Sequence, residues 1–319
     1  MGRIRARALE QSGRARVAGV CDPYMSSQQE YEVFQDVDSI LAQPDIDAVF
    51  VCTPNRYIAP TCIAALEAGK HVFSEKPPAF NAAGVEEVME AEARSGKILM
   101  YGFNHRHHPS IQRMKSIIEE GGIGRVLWMR GRYGKEVNSD YFKGWRANKE
   151  LAGGGILLDQ GIHMLDLFMY LGTEFDEIQA MVSNLFWKIE GIEDNVFAQF
   201  RCSRTGMCAS LHSTMTQWRY LFSLEVFLEG GALILNGLRT SSGVYGDEEL
   251  AIKYNNIDPR QGRFESEERY VYHTDTSWDS EIEHFVNAVE GKAPVTLGSS
   301  TDALRLMRIM DRIYGQART

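Results

Sequence analysis

Two spacings of apolar residues alternate along the first hundred positions. Short apolar runs at residues 17–20, 48–52, 71–73 and 98–101 end in turn-forming residues such as Cys21-Asp22-Pro23 and Thr53-Pro54-Asn55. Continuous apolar runs of this length predict strands buried on both faces of a parallel sheet. Between them, apolar residues recur at helical spacing over residues 2–11, 39–41, 61–68 and 84–95, and the third of these stops at Gly69, a helix-ending signal. Strands alternating with helices predict an α/β, Rossmann-like parallel sheet.

The grammar changes after Pro109. A helix at 111–120 ends at Gly121 and Gly122, and long segments of strand character follow at 125–137, 178–189, 195–201, 208–216, 222–228, 232–235 and 269–273. Phe222, Leu224, Val226 and Leu228 alternate with Ser223, Glu225 and Phe227, the pattern of a sheet with one buried face. Amphipathic helices at 280–290 and 301–314 close the chain. The expected division is a dinucleotide-binding domain over 1–105 and a substrate-binding α+β domain over 106–319. The latter is built on a large open, mainly antiparallel sheet, with the C-terminal helix near the junction.

In parallel α/β sheets ligands collect past the carboxyl ends of the strands. Asp22, Thr53, Pro54, Asn55, Glu75, Lys76 and Asn104 all sit there. An acidic residue such as Asp22 in that position suits the ribose hydroxyls of an unphosphorylated dinucleotide, NAD rather than NADP, although Asp is also a common turn former.

The chain is organised around residues 153–172, GGGILLDQGIHMLDLFMYLG. Three glycines allow a tight, unshielded turn through which backbone can approach a ligand, and a helical apolar period follows. Asp159, His163 and Asp166 then fall at i, i+4 and i+7, one polar stripe on an otherwise apolar helix. A carboxylate one turn from an imidazole can orient it and raise its basicity, which is what a general base needs. The same spacing serves a structural or surface pair. No further His or Cys lies within helical reach to complete a metal shell, so no metal is expected.

Composition narrows the partners. The chain has 319 residues, 44% hydrophobic, and a formal net charge of −9. That charge opposes nucleic acid or an anionic membrane as partner. Five scattered cysteines without a C-x-x-C pair fit a reducing cytoplasm. No run approaches the roughly 20 apolar residues that span a bilayer, and the basic start is not followed by an apolar export segment. Open sheet faces of the expected kind often pair, which predicts a homodimer or homotetramer.

Two motifs carry a family resemblance over the whole chain: Glu75-Lys76-Pro77, and GGGILLDQGIHMLD from Gly153 to Asp166. With them the chain resembles the Gfo/Idh/MocA family of NAD(P)-dependent oxidoreductases. The resemblance implies that Lys76, Asp159 and His163 carry the chemistry and that Gly2, Asp22, Thr53, Pro54, Asn55, Glu75, Lys76 and Asn104 line the cofactor cleft. Trp145 and Arg146 look like the family's aromatic-basic element beside the substrate. Family members act mostly on sugars, cyclitols and nucleotide-linked sugars, and residues 145–218 look most like members that build bacterial surface sugars.

In that reading His163 takes the proton of a secondary alcohol while hydride leaves its carbon. Lys76, on a turn fixed by Pro77 and Pro78, holds the same oxygen, and Asp159 orients His163 or grips a neighbouring hydroxyl. Two departures stand out. Met1 and Gly2 match only the end of the family's opening strand and G-x-G-x-x-G turn, so a late start site or a truncated chain is expected, with weak or absent NAD binding. Ile58 stands where the family commonly has His. The alternative function is a catalytically silent sugar-binding or assembly subunit that does not bind NAD.

Overall fold

The computed structural model describes residues 1–23, 31–240, 245–255 and 267–316, and the chain folds as two units. Met1–Asn104 with Ser277–Met307 form the first; His105–Thr276 with Arg308–Thr319 form the second. A division into 1–105 and 106–319 therefore misses the return of residues 277–307 to the first unit.

The first unit runs α1 (Gly2–Ser12), β1 (Gly19–Cys21), β2 (Glu32–Phe34), α2 (Val37–Leu41), β3 (Ala48–Val51), α3 (Ile58–Glu67), β4 (His71–Glu75), α4 (Ala82–Ser95) and β5 (Leu99–Gly102). Its strands form two parallel sheets, β1–β2 and β3–β4–β5. The expected strand–helix alternation is observed, with β2 in addition: Glu-Val-Phe is too short to show a period. Helix boundaries follow local chemistry. At α4, the Asn81 side chain accepts from the Gly84 N–H at 2.9 Å, and Gly96 ends the helix at φ 63°.

The second unit contains α5 (Pro109–Glu120), β6 (Val126–Gly134), α6 (Lys149–Ala152) and α7 (Ile162–Leu171). The strands β7 (Glu177–Ser183), β8 (Asn195–Arg201), β9 (Cys208–Thr214), β10 (Leu221–Leu228), β11 (Gly231–Asn236), β12 (Glu248–Tyr254) and β13 (Glu268–Tyr272) follow. They form one sheet with the order β13-β12-β11-β10-β6-β9-β8-β7, antiparallel throughout except at β6–β9. The mainly antiparallel open sheet is as expected. Strand β12 escapes sequence reading because EELAIKY opens on two charges and shows no clean alternation. Phe222, Leu224, Val226 and Leu228 are buried as the alternation predicts. Helix α7 lies close on the sheet because Gly131 of β6 leaves room for Met164 and Phe168; a Cβ there would overlap both.

Two helices end the chain, α8 (Ser277–Val289) and α9 (Ser300–Gln316). Ile282 and Val286 of α8 pack with Ala8 and Leu9, and Phe285 packs with Phe73 and Met100. Phe285 also meets Phe50 and Phe73 edge-on at 5.3 and 5.5 Å. This apolar face is what draws α8 onto the first unit.

Candidate active site

In the second unit the glycine run is a packing device. Gly153 ends α6 at φ 77°. A Cβ on Gly154 would overlap the Tyr314 hydroxyl, and one on Gly155 would overlap the backbone of Glu193. The close approach is thus to the chain itself. Glu193 is buried and accepts from the N–H groups of Gly155 (2.7 Å) and Leu157 (3.0 Å) and from Tyr314 Oη (2.9 Å). Burial raises its pKa against those hydrogen bonds.

The helix expected after the three glycines forms, with one irregularity. Leu157–Gly161 winds as a π-helical turn and α7 begins at Ile162. Such turns are frequent at functional sites because they re-aim side chains within a helix. Asp159, His163 and Asp166 each also meet a partner from elsewhere in the second unit.

Asp159 sits between two cations. Lys135 Nζ, just past β6, donates to Oδ2, and Arg146 Nε donates to Oδ1 at 3.4 Å. Arg146 lies 4.4 Å over the ring of Trp145, and Lys135 Nζ lies 5.0 Å from the ring centre of Tyr141. Asp166 is fully buried and takes a bidentate pair from Arg106, at 2.6 and 2.9 Å. That geometry makes Asp166 an anchor of α7, and among the described residues no group of three or more His, Cys, Asp or Glu is placed to hold a metal.

His163 is buried and stacks on His105, with ring centres 3.9 Å apart and planes 11° from parallel. His105 Nε2 shares a hydrogen bond with Tyr133 Oη at 3.1 Å; Tyr133 in turn bonds Tyr245, which accepts from Gln160 Nε2. Burial, then Tyr245 and Asp159, push the Tyr133 phenol well above its ordinary pKa, so it stays a neutral donor. The second unit therefore presents an imidazole, a carboxylate and two cations around one turn. A ligand rich in hydroxyls, each both donor and acceptor, matches that set.

In the first unit Lys76 follows β4 and is half-buried before Pro77 and Pro78; its peptide bond to Pro77 is cis. The preceding Glu75 is engaged with Arg5 of α1 at 2.7 Å, and Arg5 also meets Glu281 of α8 at 2.5 Å. Asn55 and Asn104 are buried, Pro54 half-buried, and Asp22 exposed beyond β1. Gly2 opens α1, where a Cβ would only graze Cys52 at 4.0 Å. The Thr53 hydroxyl, past the end of β3, is buried without a hydrogen-bond partner. A buried orphan of this kind at the carboxyl edge of a parallel sheet fits a cofactor that brings its own polar groups.

Sequence reasoning missed Lys135, His105, Tyr133, Tyr245, Glu193 and the Arg5 pairings. All lie outside the glycine–histidine segment in sequence, so no local spacing marks them.

Comparison with known proteins follows the same two units. Residues 1–103 match the model of the oxidoreductase family with an NAD-binding Rossmann fold, and residues 111–234 match the GFO/IDH/MocA C-terminal domain. The chain belongs to the GFO/IDH/MocA oxidoreductase family. Levoglucosan dehydrogenase of Pseudarthrobacter phenanthrenivorans is 39% identical over 150 residues, 46% of this chain and 38% of that enzyme. D-glucoside 3-dehydrogenase of Escherichia coli is 28% identical across 95% of this GFO/IDH/MocA chain and 88% of that one. A solved levoglucosan dehydrogenase in complex with NADH shares the fold, with a TM-score of 0.84 at 23% identity, covering 99% of this chain and 94% of that one. No helix among the described residues is long and apolar enough to cross a membrane.

Proposed function

We propose that this protein is an NAD-dependent oxidoreductase acting on a secondary alcohol or ketone of a sugar, cyclitol or glycoside. The observation that carries this reading is the turn at Leu157–Gly161, which sets the Asp159–Lys135–Arg146 group beside a buried histidine. His163 takes the hydroxyl proton, its ring held flat against that of His105 with centres 3.9 Å apart. Asp159 and its two cations fix neighbouring hydroxyls and so orient the reacting carbon. Lys76 steadies negative charge developing on the oxygen. The relatives named for levoglucosan and D-glucosides support a carbohydrate ligand.

NAD, when bound, supplies the hydride acceptor or donor. Thr53, Asn55, Glu75 and Asn104 would hold it in the first unit, with Asp22 taking the ribose hydroxyls and thereby favouring NAD over NADP. We further place the protein in the reducing cytoplasm and expect a homodimer or homotetramer. Supporting this, Trp128 and Phe197 lie exposed on the sheet, each stacked on a neighbour at about 4 Å. Light scattering tests the assembly.

The decisive assay follows reduced nicotinamide absorbance against a panel of sugars, glycosides and inositols. His163→Asn is expected to lower turnover by roughly 10²–10⁴-fold, the usual contribution of a positioned base, with cofactor binding retained. Turnover unchanged by His163→Asn and by Lys76→Ala refutes these two roles, and no change in nicotinamide absorbance with any member of the panel refutes the enzyme reading.

A further inference from the structure

Beside the Asp159 group lies an aromatic surface that the reaction itself does not use. Tyr141, beneath Lys135 Nζ, leads to Phe142, whose ring centre is 4.7 Å from that of Trp187. Trp187 meets Phe186 at 4.9 Å, and Phe186 meets Trp218 at 4.9 Å. Phe186 and Trp218 are 56% and 55% exposed, far more than large apolar rings ordinarily accept.

The surface is rigidly held. The N–H groups of Leu185, Phe186 and Trp187 all donate to the buried carboxylate of Asp194, at 2.8, 2.7 and 2.9 Å. Trp187 Nε1 donates to the Met215 carbonyl at 3.1 Å. Among the described residues, Lys188 and Trp218 are the two non-glycine positions with positive φ, 55° and 56°; the first adjoins Trp187 and the second carries one of the rings. Backbone held in that region by its surroundings clusters at ligand clamps.

Building on the proposed function, we propose that Phe142, Phe186, Trp187 and Trp218 form a second subsite that stacks the ring of a glycoside's aglycone. The preferred substrate is then a substituted glycoside, with an aryl group or a second pyranose on the anomeric oxygen. The rings offer stacking faces and no charge of their own, and the cations around the neighbouring Asp159 group are engaged: Lys135 and Arg146 by Asp159, and Lys143 by Asp140.

Titration calorimetry on the whole protein with matched methyl glycosides, phenyl glycosides and disaccharides of glucose, galactose and xylose tests this. Phenyl glycosides and disaccharides are expected to bind about five- to tenfold more tightly than the methyl compound of the same sugar. Trp218→Ala and, separately, Phe186→Ala abolish that ratio while leaving methyl glycoside binding and oligomeric state unchanged; Trp218→Phe restores most of it. A nucleotide sugar outcompeting the phenyl glycoside, an unchanged ratio in both variants, equal loss of all ligands, or a shift in oligomeric state instead of affinity each overturns the subsite. If methyl glycosides bind and larger ones gain nothing, only the subsite falls. If no sugar binds the wild-type protein, the proposed function fails and takes the subsite with it.

Discussion

Arg5 offers the sharpest test of what holds Lys76 in place. Its guanidinium is 1% exposed and lies 4.4 Å from the ring centres of both Phe73 and Trp278. Burial opposes its charge, but Glu281 and Glu75, at 2.5 and 2.7 Å, outweigh burial and hold its pKa above the ordinary value. Arg5→Met keeps the stem and removes the charge, leaving two carboxylates buried without it. Breaking a buried pair in this way costs about 3–5 kcal/mol, a large share of the roughly 5–15 kcal/mol that a domain has. The melting temperature of the first unit should fall by about 10 °C. Replacing all three groups together with apolar side chains, Arg5→Met, Glu75→Leu and Glu281→Leu, should recover most of the loss, because such swaps are commonly neutral. Scanning calorimetry and urea titration followed by tryptophan emission read both effects. Since Glu75 immediately precedes Lys76, turnover of Arg5→Met should also drop at temperatures where the unit is still folded. A single variant within about 1 kcal/mol of wild type, or a triple variant no better than the single one, refutes the account.

Gly155→Ala places a methyl against the Glu193 backbone, which has no flexible end to yield. A loss of roughly 1–3 kcal/mol from overpacking is expected in chemical denaturation, together with a fall in kcat. Asp22→Asn should weaken NADH binding about tenfold and narrow the preference for NAD over NADP, measured by fluorescence titration of both; an unchanged preference removes Asp22 from the ribose site. Glu248, buried on β12, would have its pKa raised by burial alone, but His108 and Ser110 more than offset this and hold it below the ordinary value of 4.5. Its ionised form therefore contributes stability that is present above that pH and lost as pH falls through the lower folded value. Glu248→Gln should lower stability at pH 7 and flatten the acid limb below about pH 4.5; a limb as steep as wild type contradicts the assignment.

The legible part of this chain is the part governed by local spacing. Alternating strands and helices over the first hundred residues, and the alternation of Phe222 to Leu228, follow from burial on two faces or on one. The return of α8 to the first unit was not legible, because its apolar face states that it must pack and not on what. The same limit applies at the site. Asp159 and His163 stand four residues apart, and in a regular helix that spacing alone would assign the carboxylate to the imidazole. Leu157–Gly161 winds as a π-helical turn instead, and Asp159 also engages Lys135 and Arg146, 24 and 13 positions earlier. Neither partner lies within helical reach in sequence, so the spacing fixed which residues are chemical and left open what each one touches. The glycines mislead in the opposite sense. A run of three invites a ligand, yet here the space freed by Gly154 and Gly155 is filled by Tyr314 and Glu193. A missing Cβ reports only that something comes close, and whether that is substrate or the protein's own backbone depends on contacts 38 residues and more away along the chain.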